Sequence, residues 1–165
     1  MLNHPQGTKS TFWESFRNPD DGCVFCSSYV SLAHAWATGP TPALTFYVLG
    51  LNPTGAGGRT FDFVPHTADL TFAQGRITTT KGPVDASWKV TKHGGFSARL
   101  TAPRGSEGRA GVPTFGSRIK VYVDGRMVWD GSKARGYRAS TDGEYVYLRG
   151  LRGSHSITSE RAGHA

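Results

Sequence analysis

Val84-Asp85-Ala86-Ser87-Trp88-Lys89-Val90, then Thr91-Lys92-His93-Gly94-Gly95, then Phe96-Ser97-Ala98-Arg99-Leu100-Thr101-Ala102: these residues decide the fold class. Val84, Ala86, Trp88 and Val90 alternate with Asp85, Ser87 and Lys89, and Phe96, Ala98, Leu100 and Ala102 alternate with Ser97, Arg99 and Thr101. Successive side chains of a strand point to opposite faces, so each segment reads as a strand with one face buried and one in water. A helix would instead gather its apolar residues every three or four positions. The short polar loop Lys92-His93-Gly94-Gly95 makes the two strands a hairpin, with Trp88 as a core anchor.

The same pattern extends in both directions. Ile119, Val121 and Val123 form a strand, Asp124-Gly125 is a two-residue turn signal, and Arg126-Met127-Val128-Trp129 returns from it. Phe61 and Phe63, Leu70 and Phe72, and Tyr145 and Tyr147 beside Val146 and Leu148 supply further strands, with a weak last one around Ile157. The chain is therefore expected to be mainly β, an antiparallel β-sandwich of about seven to nine strands. Composition agrees: 22 glycines and 9 prolines in 165 residues are turn-rich, and the length suits one domain with a proper core.

Upstream the period is helical. Tyr29, Leu32, Ala33, Trp36 and Ala37 share one helical face, with Ser27 or Ser28 as cap and Gly39-Pro40 as stop. A second helix follows, with Thr41 at its N-cap and Pro42 at the first helical position. It is apolar almost all round from Ala43 to Leu49, and so is expected to be buried on several sides. These divisions give a helical stub over 1–55, a sandwich over 56–159 and a fraying tail over 160–165. Cys23 and Cys26 form a lone CxxC, open to three readings: ordinary thiols, a local disulfide, or part of a metal site that lacks a second pair.

The formal net charge is +7, but the basic residues are scattered and form no run, which points to a solvated surface and away from nucleic acid. No apolar stretch approaches the ~18 residues that span a bilayer. The chain is expected to be soluble, with an extracellular location open if it is processed or part of a larger secreted protein. No motif calls for a cofactor.

Four segments carry a family resemblance: Ser10-Thr11-Phe12-Trp13-Glu14-Ser15-Phe16, Ser31-Leu32-Ala33-His34-Ala35-Trp36, Tyr47-Val48-Leu49-Gly50-Leu51-Asn52-Pro53, and Phe61 to Pro65. Their order and spacing resemble the end of α-L-rhamnosidases of glycoside hydrolase family 78. Thr80-Lys81-Gly82-Pro83-Val84-Asp85-Ala86-Ser87-Trp88-Lys89 resembles a strand of the C-terminal β-sandwich in the same family. The resemblance implies the last helices of an (α/α)6 barrel followed by a sandwich. It makes Glu14 the counterpart of the general base of an inverting mechanism, and it sets Trp13, His34 and Trp36 near the sugar-binding end of the barrel.

Inverting hydrolysis needs a second carboxyl group, the general acid, roughly 6.5–9.5 Å from the base. No acid in this chain is identifiable in that role, so Glu14 is expected to be an inherited and idle base. The expected function is a non-catalytic carbohydrate-binding or accessory module whose partner is a glycan or rhamnose-containing saccharide. Saccharides are recognised by aromatic faces with a few orienting polar groups. Trp129, beside the turn Asp130-Gly131-Ser132, is the expected exposed ring; Tyr137, Tyr145 and Tyr147 are further contributors, and Trp36 is expected to be core. Two alternatives remain: a rhamnoside-hydrolysing enzyme using Glu14 in a site completed by another chain, and a protein that forms homodimers through its helical segment.

Overall fold

The computed structural model describes Trp13, Ser31 and residues 33–91 and 94–163. The chain forms two compact units, residues 1–43 and 44–165. The second holds eleven strands: β1 (Leu51–Pro53), β2 (Thr60–Phe63), β3 (Phe72–Thr79), β4 (Gly82–Val90), β5 (Phe96–Thr101), β6 (Glu107–Pro113), β7 (Ile119–Val123), β8 (Arg126–Trp129), β9 (Ala139–Thr141), β10 (Tyr145–Leu151) and β11 (Ser154–Arg161). They form a five-stranded sheet in the order β1-β2-β6-β10-β9 and a six-stranded sheet in the order β3-β4-β5-β11-β7-β8.

The expected mainly β, sandwich-like architecture is what forms. The hairpin of β4 and β5 pairs Trp88 with Ala98 and Ala86 with Leu100. One apolar cluster joins the sheets, with Phe61, Phe63, Val112 and Leu148 from the first and Val84, Trp88, Phe96, Val121 and Ile157 from the second. Trp88 stacks on Phe96 with ring centres 6.4 Å apart, and its indole N–H donates to the Val48 carbonyl at 3.1 Å. A buried ring of this size keeps its polar atom only by finding such a partner.

Eleven strands exceed the seven to nine expected, because glycine and proline concealed some of them. β6 contains Gly108, Gly111 and Pro113, a composition that reads as loop. Yet a Cβ at Gly108 would lie 2.4 Å from the Phe61 ring, so close packing requires glycine there. β2 joins β6 in parallel, the only parallel pairing among the described residues. β11 is no weak terminal strand: it lies between β5 and β7 and runs to Arg161, into the tail expected to fray. β1 likewise starts inside the expected helical stub.

Asp124 and Gly125 both have positive φ, 51° and 78°, as a two-residue hairpin turn of type I′ requires. The returning strand departs from simple alternation, with a register shift between Val121 and Tyr122. Strict alternation would set Trp129 on the same side as the exposed Met127. The irregularity turns it inward beside Val128, and only 7% of it is accessible. Trp129 is thus a core residue and not the exposed ring expected.

Of the first expected helix, Tyr29 and Leu32 lie outside the described residues. His34 is extended (φ −98°, ψ 115°), and the chain makes only a 3-10 turn over Ala35–Thr38. One turn presents no continuous apolar face, and Trp36 is 88% exposed, against the expected core position. The second helix also differs. An α-helical turn, α1, spans Pro40–Ala43 and begins at Pro40, where the missing N–H costs nothing. Leu44–Val48 is a wider π turn, closed by the Leu49 N–H donating to the Leu44 carbonyl at 2.8 Å. Leu49 is buried and Val48 packs on the core, but Leu44, Phe46 and Tyr47 are exposed, so burial is confined to the end of the segment.

Candidate functional site

Alternation on β10 sends Val146 and Leu148 into the core and leaves Tyr145, Tyr147 and Arg149 on the outer face of the five-stranded sheet. Tyr147 faces Gly111 across the β6 pairing, and a Cβ there would crowd Val64 at 2.9 Å and Tyr145 at 3.2 Å. The missing side chain lets the Tyr145 ring lie close against the sheet. Ring centres then follow one another: Tyr47 to His66 at 5.8 Å, His66 to Tyr145 at 6.1 Å, and Tyr145 to Tyr147 at 5.9 Å. The guanidinium of Arg109 sits 5.1 Å from the centre of Tyr147 and ends the stripe with a cation–π contact.

Hydrogen bonds fix this stripe. The Tyr145 hydroxyl donates to the Pro65 carbonyl at 2.9 Å, and the Tyr147 hydroxyl donates to Asp142 Oδ2 at 2.8 Å. Asp142 Oδ1 accepts from the backbone N–H groups of Tyr145 (2.8 Å) and Glu144 (3.0 Å). The Tyr145 N–H first, then the Tyr147 hydroxyl, hold the Asp142 carboxyl below the usual carboxylate range. Burial is the main cause that raises both tyrosine hydroxyls, which therefore stay protonated donors at neutral pH. Tyr47 and His66 are exposed, while Tyr145 and Tyr147 are half-buried. Beyond Tyr145, an open cleft of about 480 Å³ is lined by His66, Thr114, Phe115 and Glu144 among others.

Next to the tyrosines the face is rich in arginine. Arg109 grips Asp62 with two hydrogen bonds, from Nε to Oδ1 at 3.0 Å and from its terminal nitrogen to Oδ2 at 2.5 Å. This pair raises the Arg109 pKa further above its ordinary value. Arg152 pairs with Glu107 differently, its Nε and one terminal nitrogen both donating to Oε2. A groove of about 380 Å³ lined by Asp62, Arg109, Arg138 and Arg149 adjoins one of about 730 Å³ lined by Tyr137, Arg138, Arg149 and Arg152.

The residues singled out by the sequence are spread over the chain. Glu14 lies outside the described residues, as do Cys23 and Cys26. Trp13 is buried, His34 is half-buried and Trp36 is exposed, all within the 1–43 unit. Trp129 is in the sandwich core, away from solvent. Tyr145 and Tyr147 are brought together, and Tyr137, partly buried against the core, lines the larger groove. Tyr47, His66 and the arginines were not anticipated as a group. Tyr147 and Arg149 do share a strand face by alternation, a signal that could have linked ring and cation. Among the described residues no cluster of His, Cys, Asp or Glu is arranged to hold a metal ion, and no helix is long and apolar enough to cross a membrane.

Residues 50–125, from the start of the sandwich through the β7–β8 turn, match the family model described as bacterial alpha-L-rhamnosidase C-terminal domain. The resemblance to rhamnosidases holds. Solved structures agree on the fold. The α-L-rhamnosidase from Dictyoglumus thermophilum matches over 92% of this chain with a TM-score of 0.77 and 24% identity. The Streptomyces avermitilis α-L-rhamnosidase complexed with L-rhamnose matches over 90% with a TM-score of 0.66 and 25% identity. The Aspergillus terreus enzyme matches over 90% with a TM-score of 0.62 and 17% identity. This chain covers only 16%, 13% and 14% of those proteins, so it corresponds to a small part of each rhamnosidase. Comparison with curated proteins yields no match.

Proposed function

We propose that the chain serves as a non-catalytic carbohydrate-binding or accessory module related to the C-terminal part of an α-L-rhamnosidase, with the tyrosine stripe as its saccharide face. The observation that carries this reading is the line of rings from Tyr47 on the π turn through His66, beyond β2, to Tyr145 and Tyr147 on the outer face of β10. Folding requires apolar residues on the inner face only. Tyr145 and Tyr147, held by their hydroxyls on the outer face, offer pre-organised surface to the apolar side of a sugar, with little conformational entropy to lose. One of the similar structures is a complex with L-rhamnose, which makes rhamnose-containing saccharides the first ligands to try.

Calorimetric titration with a rhamnose-containing oligosaccharide tests it. Binding is expected at millimolar concentration and should be lost in Tyr145→Ala and Tyr147→Ala, with the fold of both variants checked by circular dichroism. Undiminished binding in both variants, or none in the parent protein, would overturn the assignment.

A second reading has its own observation. Leu44, Phe46 and Tyr47 are exposed together on the π turn, and exposed apolar groups close in sequence suit self-association. Sedimentation should then show a dimer that Phe46→Ser dissociates; a monomer at high concentration removes this reading.

A further inference from the structure

Strands β6 and β10 and the residue leading into β9 set arginines in one row across the outer face of the five-stranded sheet. Arg109 of β6 is the direct register partner of Arg149 of β10, and the Arg149 N–H donates to the carbonyl of Arg138 at 3.0 Å. Like charges directly opposite on a sheet are destabilising, so the row opposes folding unless something neutralises it. Asp62, opposite Arg109 on β2, neutralises that one, and Glu107 neutralises Arg152. The two grooves hold four arginines against two carboxylates. Arg138 and Arg149 remain exposed, and no ion pair engages either among the described residues.

We infer that Arg138 and Arg149 form an anion subsite at the end of the tyrosine stripe, and that its ligand is the carboxylate of an acidic, uronic-acid-containing saccharide. The inference rests on the reading that the stripe holds a saccharide, and it adds the chemical class. Guanidinium groups are planar forks that match carboxylate oxygens two at a time and are weakly hydrated, so they capture such a group at an open surface. Tyr147 precedes Arg149 by two positions on one strand face, a spacing of about 7 Å. A sugar lying on the stripe thus has guanidinium groups within reach of a substituent on it or on the next residue. Asp62 keeps Arg109 against Tyr147, which leaves Arg138 and Arg149 as the cations open to a ligand.

The test uses trigalacturonic acid and its fully methyl-esterified form, which share their rings and differ in charge. Both are titrated into the full chain and into R138Q/R149Q at low and at physiological salt. The expected result is about tenfold tighter binding of the acid than of the ester at low salt, in line with charge-assisted hydrogen bonds. The preference should shrink as salt rises and fall to parity in R138Q/R149Q, the ratio of acid to ester affinity being the readout. Equal affinity for acid and ester would overturn the anion subsite and leave the saccharide reading standing. A preference that survives in R138Q/R149Q would overturn the assignment to these arginines. Failure of both compounds to bind would overturn the subsite, and if the rhamnose-containing oligosaccharide also fails, the saccharide reading falls with it.

Discussion

The sandwich has two outer faces built by the same alternation rule, and they differ in content. On the six-stranded sheet the outward positions around β3, β4 and β5 include the exposed Phe72 together with Gln74, Arg76, Asp85, Ser87, Arg99 and Thr101. Arg76 and Asp85 face each other in register and pair at 2.6 Å, and at the other side Tyr122 donates to Glu160. Such a face does what solvent requires of it. The five-stranded sheet instead carries Tyr145 and Tyr147, linked ring to ring with His66 and Tyr47, beside arginines that face each other in register. Burial of the inner faces asks for neither feature, and it is this difference that the proposed saccharide role uses.

Among substitutions, the largest effect should come from the core that both faces share. Trp88→Ala removes the ring that stacks on Phe96 and bonds Val48, and is expected to cost about 3–5 kcal/mol in chemical denaturation. A cost below 1 kcal/mol would mean the sheets do not depend on this anchor. Gly108→Ala pushes a methyl group into the Phe61 ring, which is buried and cannot retreat. About 1–3 kcal/mol should be lost, with amide exchange rising in β2 and β6 before β3 and β4.

A smaller, pH-dependent effect concerns the stripe itself. The Asp142 carboxyl has a lowered pKa in the folded protein, so its contribution is present above the unfolded carboxylate pKa and fades as pH falls through the folded value. Asp142→Asn should flatten the acid limb of the stability curve and free the Tyr147 ring, followed by its NMR signals. An unchanged acid limb would show that this carboxylate does not hold the face together. At the low end, Trp36→Ala should change stability by less than about 0.5 kcal/mol, because the ring is 88% exposed. A cost above 2 kcal/mol would point to burial of Trp36 in solution.

Much of the sandwich was legible because alternation is a local signal. Strands β4, β5, β7 and β10 show it in their own residues, and Asp124-Gly125 names its own turn. β6 was hidden because Gly108 and Gly111 serve partners on other strands, Phe61 and Tyr145, whose approach the sequence does not reveal. The helical readings failed for a related reason: apolar residues at helical spacing predict a face only if the helix runs on, and here the described chain makes single turns. Trp129 was misplaced by an irregularity between β7 and β8 that alternation cannot foresee. At the candidate site, Tyr145 and Tyr147 could be named from their strand. Tyr47 and His66 come from distant sequence, and the arginine row exists only through the register of β6 against β10.

The contrast between the two faces is tested most directly by a two-dimensional NMR titration of the full chain with a rhamnose-containing oligosaccharide, read residue by residue. Saturable shifts are expected at His66, Tyr145, Tyr147 and Arg149, with Arg76, Ser87 and Arg99 unmoved. Shifts confined to the six-stranded face, or none on either, would contradict the proposed saccharide role.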